Sequence, residues 1–227
     1  MEGEEVADMP SGAHDMALAI KIQLPVKALS QNQTSLAHFI ERAAAGDTAA
    51  FEQIMIQSQQ RVMATTWRLL GNEADARDAS QEVFLKVYRY LKSFKQDQDF
   101  FAWLYTITVN VCRDISKKRM AHGHVFTSLT GKAEDDELAV AAEGPSAEDA
   151  LVENQNRKLI AEAMATLPER ERVSIVLRDI EGFSTDEVAR IMKSSSTTVR
   201  SQVSQARKKI RIYCDRYMTT KGAGVVS

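Results

Sequence analysis

The sequence predicts an all-α fold: two small helical domains joined by a flexible acidic linker. Three observations carry that prediction. Glycine and proline are scarce, at 10 and 4 of 227 residues, and long stretches consist of the strong helix formers Ala, Leu, Glu, Gln, Arg and Lys. Apolar residues recur at steps of three and four, the spacing of a helix face, and no run of β-branched residues alternates with polar ones. The period dissolves between Met120 and about Pro145, where Gly123, Gly131, Gly144 and Pro145 punctuate an acidic stretch that includes Glu134 to Glu137. The expected layout is an N-terminal extension (1–33), a first helical domain (34–119), the linker (120–145), a second helical domain (146–218) and a short tail (219–227).

Residues 1–33 hold Pro10, Gly12 and Pro25 and no sustained period, so a poorly ordered extension is expected. A helix follows from Ser35 to Ala45, with Leu36, Phe39, Ile40 and Ala43 inward. Gly46 ends it. Asp47 is placed to cap the next helix by accepting from amides two or three residues on. That helix uses Phe51, Ile54, Val62 and Leu69 and stops at Gly71-Asn72.

The stretch Glu73 to Arg119 reads as a hairpin of two long helices, each with two stripes. In the first, Ala76, Ala79, Val83, Val87 and Leu91 form a core face, while Asp78, Gln81, Glu82, Leu85 and Tyr88 or Arg89 lie elsewhere on the cylinder. In the second, roughly Phe100 to Arg119, the core stripe is Phe100, Leu104, Ile107, Val111 and Ile115. Trp103, Thr106, Asn110, Arg113 and Lys117 form a separate polar-aromatic stripe, centred about 130° away. One stripe suffices for folding, so the second invites an explanation by binding.

Beyond the linker, Ser146 to about Leu167 is one expected helix, ended by Pro168. Glu169 to Ile180 is the next, with Val173, Val176, Leu177 and Ile180 inward, and Gly182 breaks it. Ser184-Thr185-Asp186-Glu187 is a capping box, in which the serine oxygen and the glutamate satisfy each other's backbone amides. It starts a short helix, Thr185 to Met192. Lys193-Ser194-Ser195 forms a tight turn. The last helix, Ser196 to about Met218, buries Val199, Val203, Ala206 and Ile210.

Charge and cysteine content bound the function classes. A formal net charge of −2 argues against a bulk polycation. Its distribution is uneven: base gathers at Lys117, Lys118 and Arg119 and from Arg200 to Arg216, local patches of the kind that bind phosphate. Cys112 and Cys214 give neither a disulfide framework nor zinc spacing, so a reducing cytoplasm is the expected setting. No span of about 20 apolar residues exists, so no membrane insertion is expected. His122-x-His124 has no third ligand at suitable spacing, and no metal, cofactor or catalytic residue is expected.

Three constellations carry chemistry. The first is the helix–turn–helix, whose long helix presents Thr197, Arg200, Ser201, Ser204, Lys208 and Arg211 outward. Arginine pairs bidentately with guanine in the major groove, and the others reach phosphates or bases. A solvated basic face would look the same. The second is the Trp103 stripe: rings stack on unpaired bases, amides read edges and cations hold phosphates. By periodicity alone, Trp103 and Tyr105 are as well explained as core aromatics. The third is the Asp78, Gln81, Glu82 stripe, which alone reads as a solvated acidic face.

Together the residues are familiar. Gly46-Asp47-x-x-Ala50-Phe51, then Asp75-Ala76-Arg77-Asp78-Ala79-Ser80-Gln81-Glu82-Val83-Phe84, then Trp103-Leu104-Tyr105-x-Ile107-x-x-Asn110-x-x-x-Asp114 resemble region 2 of bacterial sigma-70 family sigma factors. Leu167-Pro168-x-Arg170-x-Arg172 and Gly182-Phe183-Ser184-x-x-Glu187-Val188-Ala189, with Thr198-Val199-Arg200-Ser201 and Ala206-Arg207-Lys208-Lys209, look like region 4. The two-domain layout is similar to the extracytoplasmic-function (ECF) group, and the resemblance covers residues 35–119 and 146–215.

That resemblance implies roles. The face of Asp78, Gln81, Glu82, Phe84, Leu85 and Tyr88 would dock on the β′ clamp helices of core RNA polymerase. Trp103, Thr106, Asn110, Arg113, Lys117, Lys118 and Arg119, with the loop Lys95 to Phe100, would open the promoter −10 element and hold its flipped bases, Asn110 lining a base pocket. Thr197, Thr198, Arg200, Ser201, Ser204, Arg207, Lys208 and Arg211 would read the −35 element as duplex, with the flanks of that helix facing the β flap. An anti-sigma protein is a further implied partner. The pattern departs from the family at Lys193, where glycine is frequent, at Ser194, and at Gln202 and Gln205, where arginine is common. The rivals explain less. A dimeric helix–turn–helix regulator leaves Trp103, Asn110 and the acidic stripe without a task. A purely protein-binding adaptor leaves the basic helix unexplained.

Overall fold

The computed structural model describes residues 33–95, 97–121 and 159–222. Most of the expected N-terminal extension and acidic linker, with His122 and His124, and the first part of the helix expected from Ser146 lie outside the described residues. Those that are described form helices and their connections, with no strand among them.

The N-terminal module holds four helices: α1 (Gln33–Ala44), α2 (Thr48–Leu70), α3 (Glu73–Tyr90) and α4 (Phe100–Ala121). Local chemistry sets their ends. Gly46 adopts φ 103°, a conformation that costs glycine little. The Asp47 carboxylate then accepts from the amides of Ala49 and Ala50 at 3.0 and 3.1 Å, capping α2 as expected. The Ala50 amide and the Arg42 guanidinium hold that carboxyl below the usual range. Gly71, at φ 74°, closes α2 through a bond from its amide to the Trp67 carbonyl. Asn72 caps α3 by accepting from the Asp75 amide at 2.8 Å.

The expected core stripe of α3 is buried along its length: Ala76, Ala79, Val83, Val87 and Leu91 are each at most 1% exposed. Burying side chains of the size of Val or Leu contributes about 1.5–3 kcal/mol each. Small Ala76 and Ala79 let α3 approach α2. There Thr66 Oγ1 reaches the Ala76 carbonyl at 3.1 Å and the Ser80 hydroxyl at 3.2 Å.

The C-terminal module holds α5 (159–165), α6 (Glu169–Ile175), α7 (Thr185–Met192) and α8 (Ser196–Gly222). α6 does not run on as α-helix to Ile180. It widens into a π turn, Val176–Ile180, in which the Glu181 amide reaches back to the Val176 carbonyl at 2.9 Å. The capping box at Ser184 forms in both directions, at 2.7 and 3.2 Å, and draws the Glu187 carboxyl below its usual value. Lys193 takes φ 51°, ψ 53°, the left-handed conformation that glycine adopts most readily. Its amide bonds to the Arg190 carbonyl and that of Ser194 to the Ala189 carbonyl, the paired geometry that ends many helices. Ser195 then caps α8 by accepting from the Thr198 amide at 3.1 Å.

The two modules pack against each other. α4 lies along α7, while α2 meets α6 and the π turn. Their apolar residues form one continuous cluster, in which Tyr105 of α4 meets Phe183 edge-on at 5.2 Å between ring centres. This seam explains a departure on α4. Phe100, Leu104 and Val111 of its expected core stripe are buried, but so are Tyr105, Thr108, Val109 and Cys112, while Ile107 and Ile115 are only half-buried. α4 is covered on two sides.

Candidate nucleic-acid interface

Three surfaces collect the residues singled out by the sequence. On α3, Asp78, Gln81, Glu82, Leu85 and Tyr88 are exposed, Leu85 at 60% and Tyr88 at 53%. Leu85 and Tyr88 stand one turn apart, so together they open an apolar patch among acids, and it is contiguous exposed patches that mark interaction sites. Tyr88 is held edge-on against Phe51 of α2, 5.0 Å between ring centres, and Glu82 pairs with Lys86 one turn on at 3.5 Å. Phe84 is a correction. It is 8% exposed and belongs to the core, because it sits one position past the buried Val83 on the inward side of α3.

On α4, Trp103, Thr106 and Asn110 follow one another a turn apart and are half-buried. Trp103 leans on Phe94 and Phe100, with ring centres at 5.1 and 5.8 Å, so the loop before α4 and its first turn form an aromatic ledge. Tyr105 is not part of that stripe. It is fully buried in the seam, where burial first and the Glu181 charge second push its hydroxyl pKa upward. Arg113 is engaged across the seam by Glu169 at 3.0 Å. Arg119 pairs with Asp75 at the start of α3 at 2.8 Å. Lys117 and Lys118 are exposed at the end of the helix.

On α8, Thr197, Thr198, Arg200, Ser201, Ser204, Arg207, Lys208 and Arg211 are all exposed, while Val199, Val203, Ala206 and Ile210 point into the module. Of the outward residues, Arg200, Ser204, Arg207, Lys208 and Arg211 line an open groove with Thr185 and with Arg178 of the π turn. Arg178 is a cation that the sequence analysis missed: on a regular helix it would simply have been a residue between core positions. Its neighbour Asp179 grips Arg207 with both oxygens at 2.8 and 2.6 Å. Arg207 is thereby fixed in place and partly neutralised. The two glutamines that stand where arginine was expected part ways. Gln202 accepts from the Ser174 hydroxyl at 2.7 Å inside the module, whereas Gln205 stays on the outer face and bonds to Ser201.

The comparisons with known proteins agree with this division. The Sigma-70 region 2 family matches residues 55–121, and Sigma-70 region 4 matches 157–210. The RNA polymerase sigma-H factor of Pseudomonas aeruginosa is 30% identical over 185 residues, 80% of this chain and 94% of that protein. The chain belongs to the sigma-70 family. The ECF RNA polymerase sigma-E factor of Escherichia coli, 32% identical over 75% of this chain and 90% of its own length, places it with the ECF type. This sigma factor also shares its fold with two solved structures, each 24% identical at a TM-score of 0.55. CnrH, solved in complex with the cytosolic domain of CnrY, matches over 79% of this chain and 97% of its own. RpoE of Bartonella quintana, solved with the anti-sigma factor NepR, matches over 73% and 96%.

As a sigma factor of this family, the protein directs RNA polymerase to specific promoters for transcription initiation. Among the described residues no helix is long and apolar enough to cross a membrane.

Proposed function

We propose that this sigma factor divides its task among the three surfaces. The α3 face of Asp78, Gln81, Glu82, Leu85 and Tyr88 holds core polymerase at the β′ clamp helices. The α4 stripe of Trp103, Thr106 and Asn110, with Lys117 and Lys118 behind it, captures the unpaired strand at −10. The α8 face from Thr197 to Arg211, with Arg178, reads −35 in the duplex. The chain carries no catalytic chemistry of its own, since polymerase supplies that. Unstacking costs a few kcal/mol per base, and an aromatic ledge beside a half-buried amide offsets it by stacking and hydrogen bonding. Three weak contacts joined in one chain become one strong contact through effective concentration.

The observation that carries the reading is the outward display of eight α8 residues, of which Arg200, Ser204, Arg207, Lys208 and Arg211 line one groove together with Arg178. The two fold relatives, solved with a partner chain bound, support a further partner: an anti-sigma protein that holds this chain before polymerase does. The test is reconstitution. Purified chain added to core polymerase should give runoff transcripts with discrete starts on genomic fragments, and a variant with Arg200 and Lys208 both changed to Ala should lose those that depend on −35. Transcripts without defined starts would sink the assignment.

A further inference from the structure

The seam between the modules holds a charged site that none of the three surfaces uses. Arg61, Thr65 and Arg68 lie on one face of α2 at steps of four and three. They converge on a single carboxylate, that of Glu181, which is 7% exposed. Arg61 Nη2 reaches Glu181 Oε2 at 3.1 Å, Thr65 Oγ1 reaches Oε1 at 2.8 Å, and the Tyr105 hydroxyl also donates to Oε2. Arg68 approaches only to 4.0 Å. The guanidinium of Arg61 lies over the Phe101 ring, 4.7 Å from its centre.

The charges do not balance. Two guanidiniums face one carboxylate. Nη1 of Arg61 and Nη1 of Arg68 are both buried without a hydrogen-bond partner among the described residues. Glu181 Oε1 accepts from Thr65 and Oε2 from Arg61 Nη2 and Tyr105, and neither oxygen makes a hydrogen bond to the two Nη1 atoms. A buried cation with unmet donors is costly. Two successive phosphodiesters would give each guanidinium a charge and a pair of anionic oxygens of its own, which the guanidinium fork matches bidentately.

Geometry also says when the carboxylate must leave. The −35 and −10 elements lie about 25 base pairs apart, roughly 85 Å at 3.4 Å per pair. In the docked form, Asp179, which holds Arg207 of α8, is two residues from Glu181, which holds Tyr105 of α4. α4 and α8 therefore cannot occupy the two elements at once until the seam opens, and its opening uncovers Arg61 and Arg68 beside α4. We propose that Arg61 and Arg68 form a binding site for two successive backbone phosphates of the separated DNA strand, and that Glu181 fills this site only while the modules are docked. DNA and the C-terminal module then compete for the same cations. The proposal rests on the assignment of α4 to the unpaired strand.

The test uses the full chain and a fluorescein-labelled 20-nucleotide oligo(dT), read by anisotropy between 50 and 200 mM KCl. Glu181→Gln should tighten binding about fivefold. Adding Arg61→Ala and Arg68→Ala to that variant should abolish the gain and lower the salt slope by about 1.4, which is 0.7 for each of two lost phosphate contacts on a single strand. Equal affinity and slope in all three proteins would overturn the proposal. A second measurement needs no variant: saturating oligo(dT) should raise the radius of gyration of the wild-type chain in small-angle scattering. An unchanged radius with the oligonucleotide bound would also overturn it. Permanganate footprinting of Asn110→Ala is scored separately, so a wrong assignment of the α4 stripe shows as wild-type melting in that variant and a wrong phosphate site as unaltered slopes.

Discussion

Tyr105 donates its hydroxyl to Glu181 across 76 residues of chain and across the boundary between two modules. Each needs the other. A fully buried phenol needs an acceptor, and a carboxylate 7% exposed needs donors. Burial and the adjacent carboxylate raise the phenol's pKa, so Tyr105 stays a donor throughout the physiological range. The contact turns α4 into a shared wall. One side carries Trp103, Thr106 and Asn110 and the other packs on the C-terminal module.

The acidic face of α3 is the first surface to test. Changing Asp78 and Glu82 to Lys places two cations where the clamp helices would meet acids, at a cost of about 2 kcal/mol or more, roughly 30-fold in affinity. Both residues are exposed, and the change breaks only the surface pair of Glu82 with Lys86, so the melting temperature should change little. Wild-type affinity for core polymerase in a pull-down titration would remove α3 from the interface.

Asn110 tests the strand-separating surface. Asn110→Ala should leave polymerase association intact and slow open-complex formation about tenfold, the loss expected for one amide that reads a base edge. Permanganate footprinting of unpaired thymines around −10 measures this directly. Footprints as strong and as fast as those of the wild type would show that the half-buried amide plays no part in melting.

The groove beside α8 separates two kinds of contact. Arg178→Ala should weaken binding to every duplex about equally and lower the salt slope by about 1, as a phosphate contact does. Arg200→Ala should cost about 1–3 kcal/mol and relax preference at one base pair. Competition binding over a set of −35 variants distinguishes them. A sequence-dependent loss for Arg178 would reverse its role.

Lys193 is the only non-glycine residue with positive φ among those described. The left-handed conformation costs an L-residue about 1–2 kcal/mol, while glycine adopts it freely and loses more chain entropy on folding. The balance predicts that Lys193→Gly stabilises the chain by about 0.5–1 kcal/mol. A urea midpoint that falls instead would mean that the lysine side chain stabilises the turn by more than its backbone strain costs.

How far the sequence could be read follows from what each element buries. Helix ends were legible at Asp47, Gly71, Ser184 and Lys193 because caps act through neighbours a few residues away. The core stripe of α3 was legible because that helix is covered on one side. α4 was read only in part: a helix buried on two sides has no single stripe, so Tyr105, Val109 and Cys112 were hidden behind Phe100, Leu104 and Val111. Glu181 was invisible because its partners lie 76 to 120 residues away, and a glutamate near a helix end is normally solvated. Arg178 escaped because its direction depends on a π turn, which composition does not announce.

The two thiols set a pH dependence with a definite sign. Burial pushes Cys112 up to about 12 and Cys214 up to about 11, against an ordinary value of 9.0. Both are held as neutral thiols in the folded chain and ionise earlier once it unfolds. Between pH 9 and 11 the native state therefore keeps protons that the unfolded state gives up, and stability must fall as pH rises. Below pH 9 the two states hold the same thiol protons, and these groups contribute their full share. Urea midpoints measured from pH 8 to 11 should decline for the wild type. With both cysteines changed to Ala the decline should be shallower, leaving the part due to Tyr105 and Tyr213, which begins above pH 10. Identical slopes in the two proteins would mean that the thiols ionise as easily in the fold as out of it.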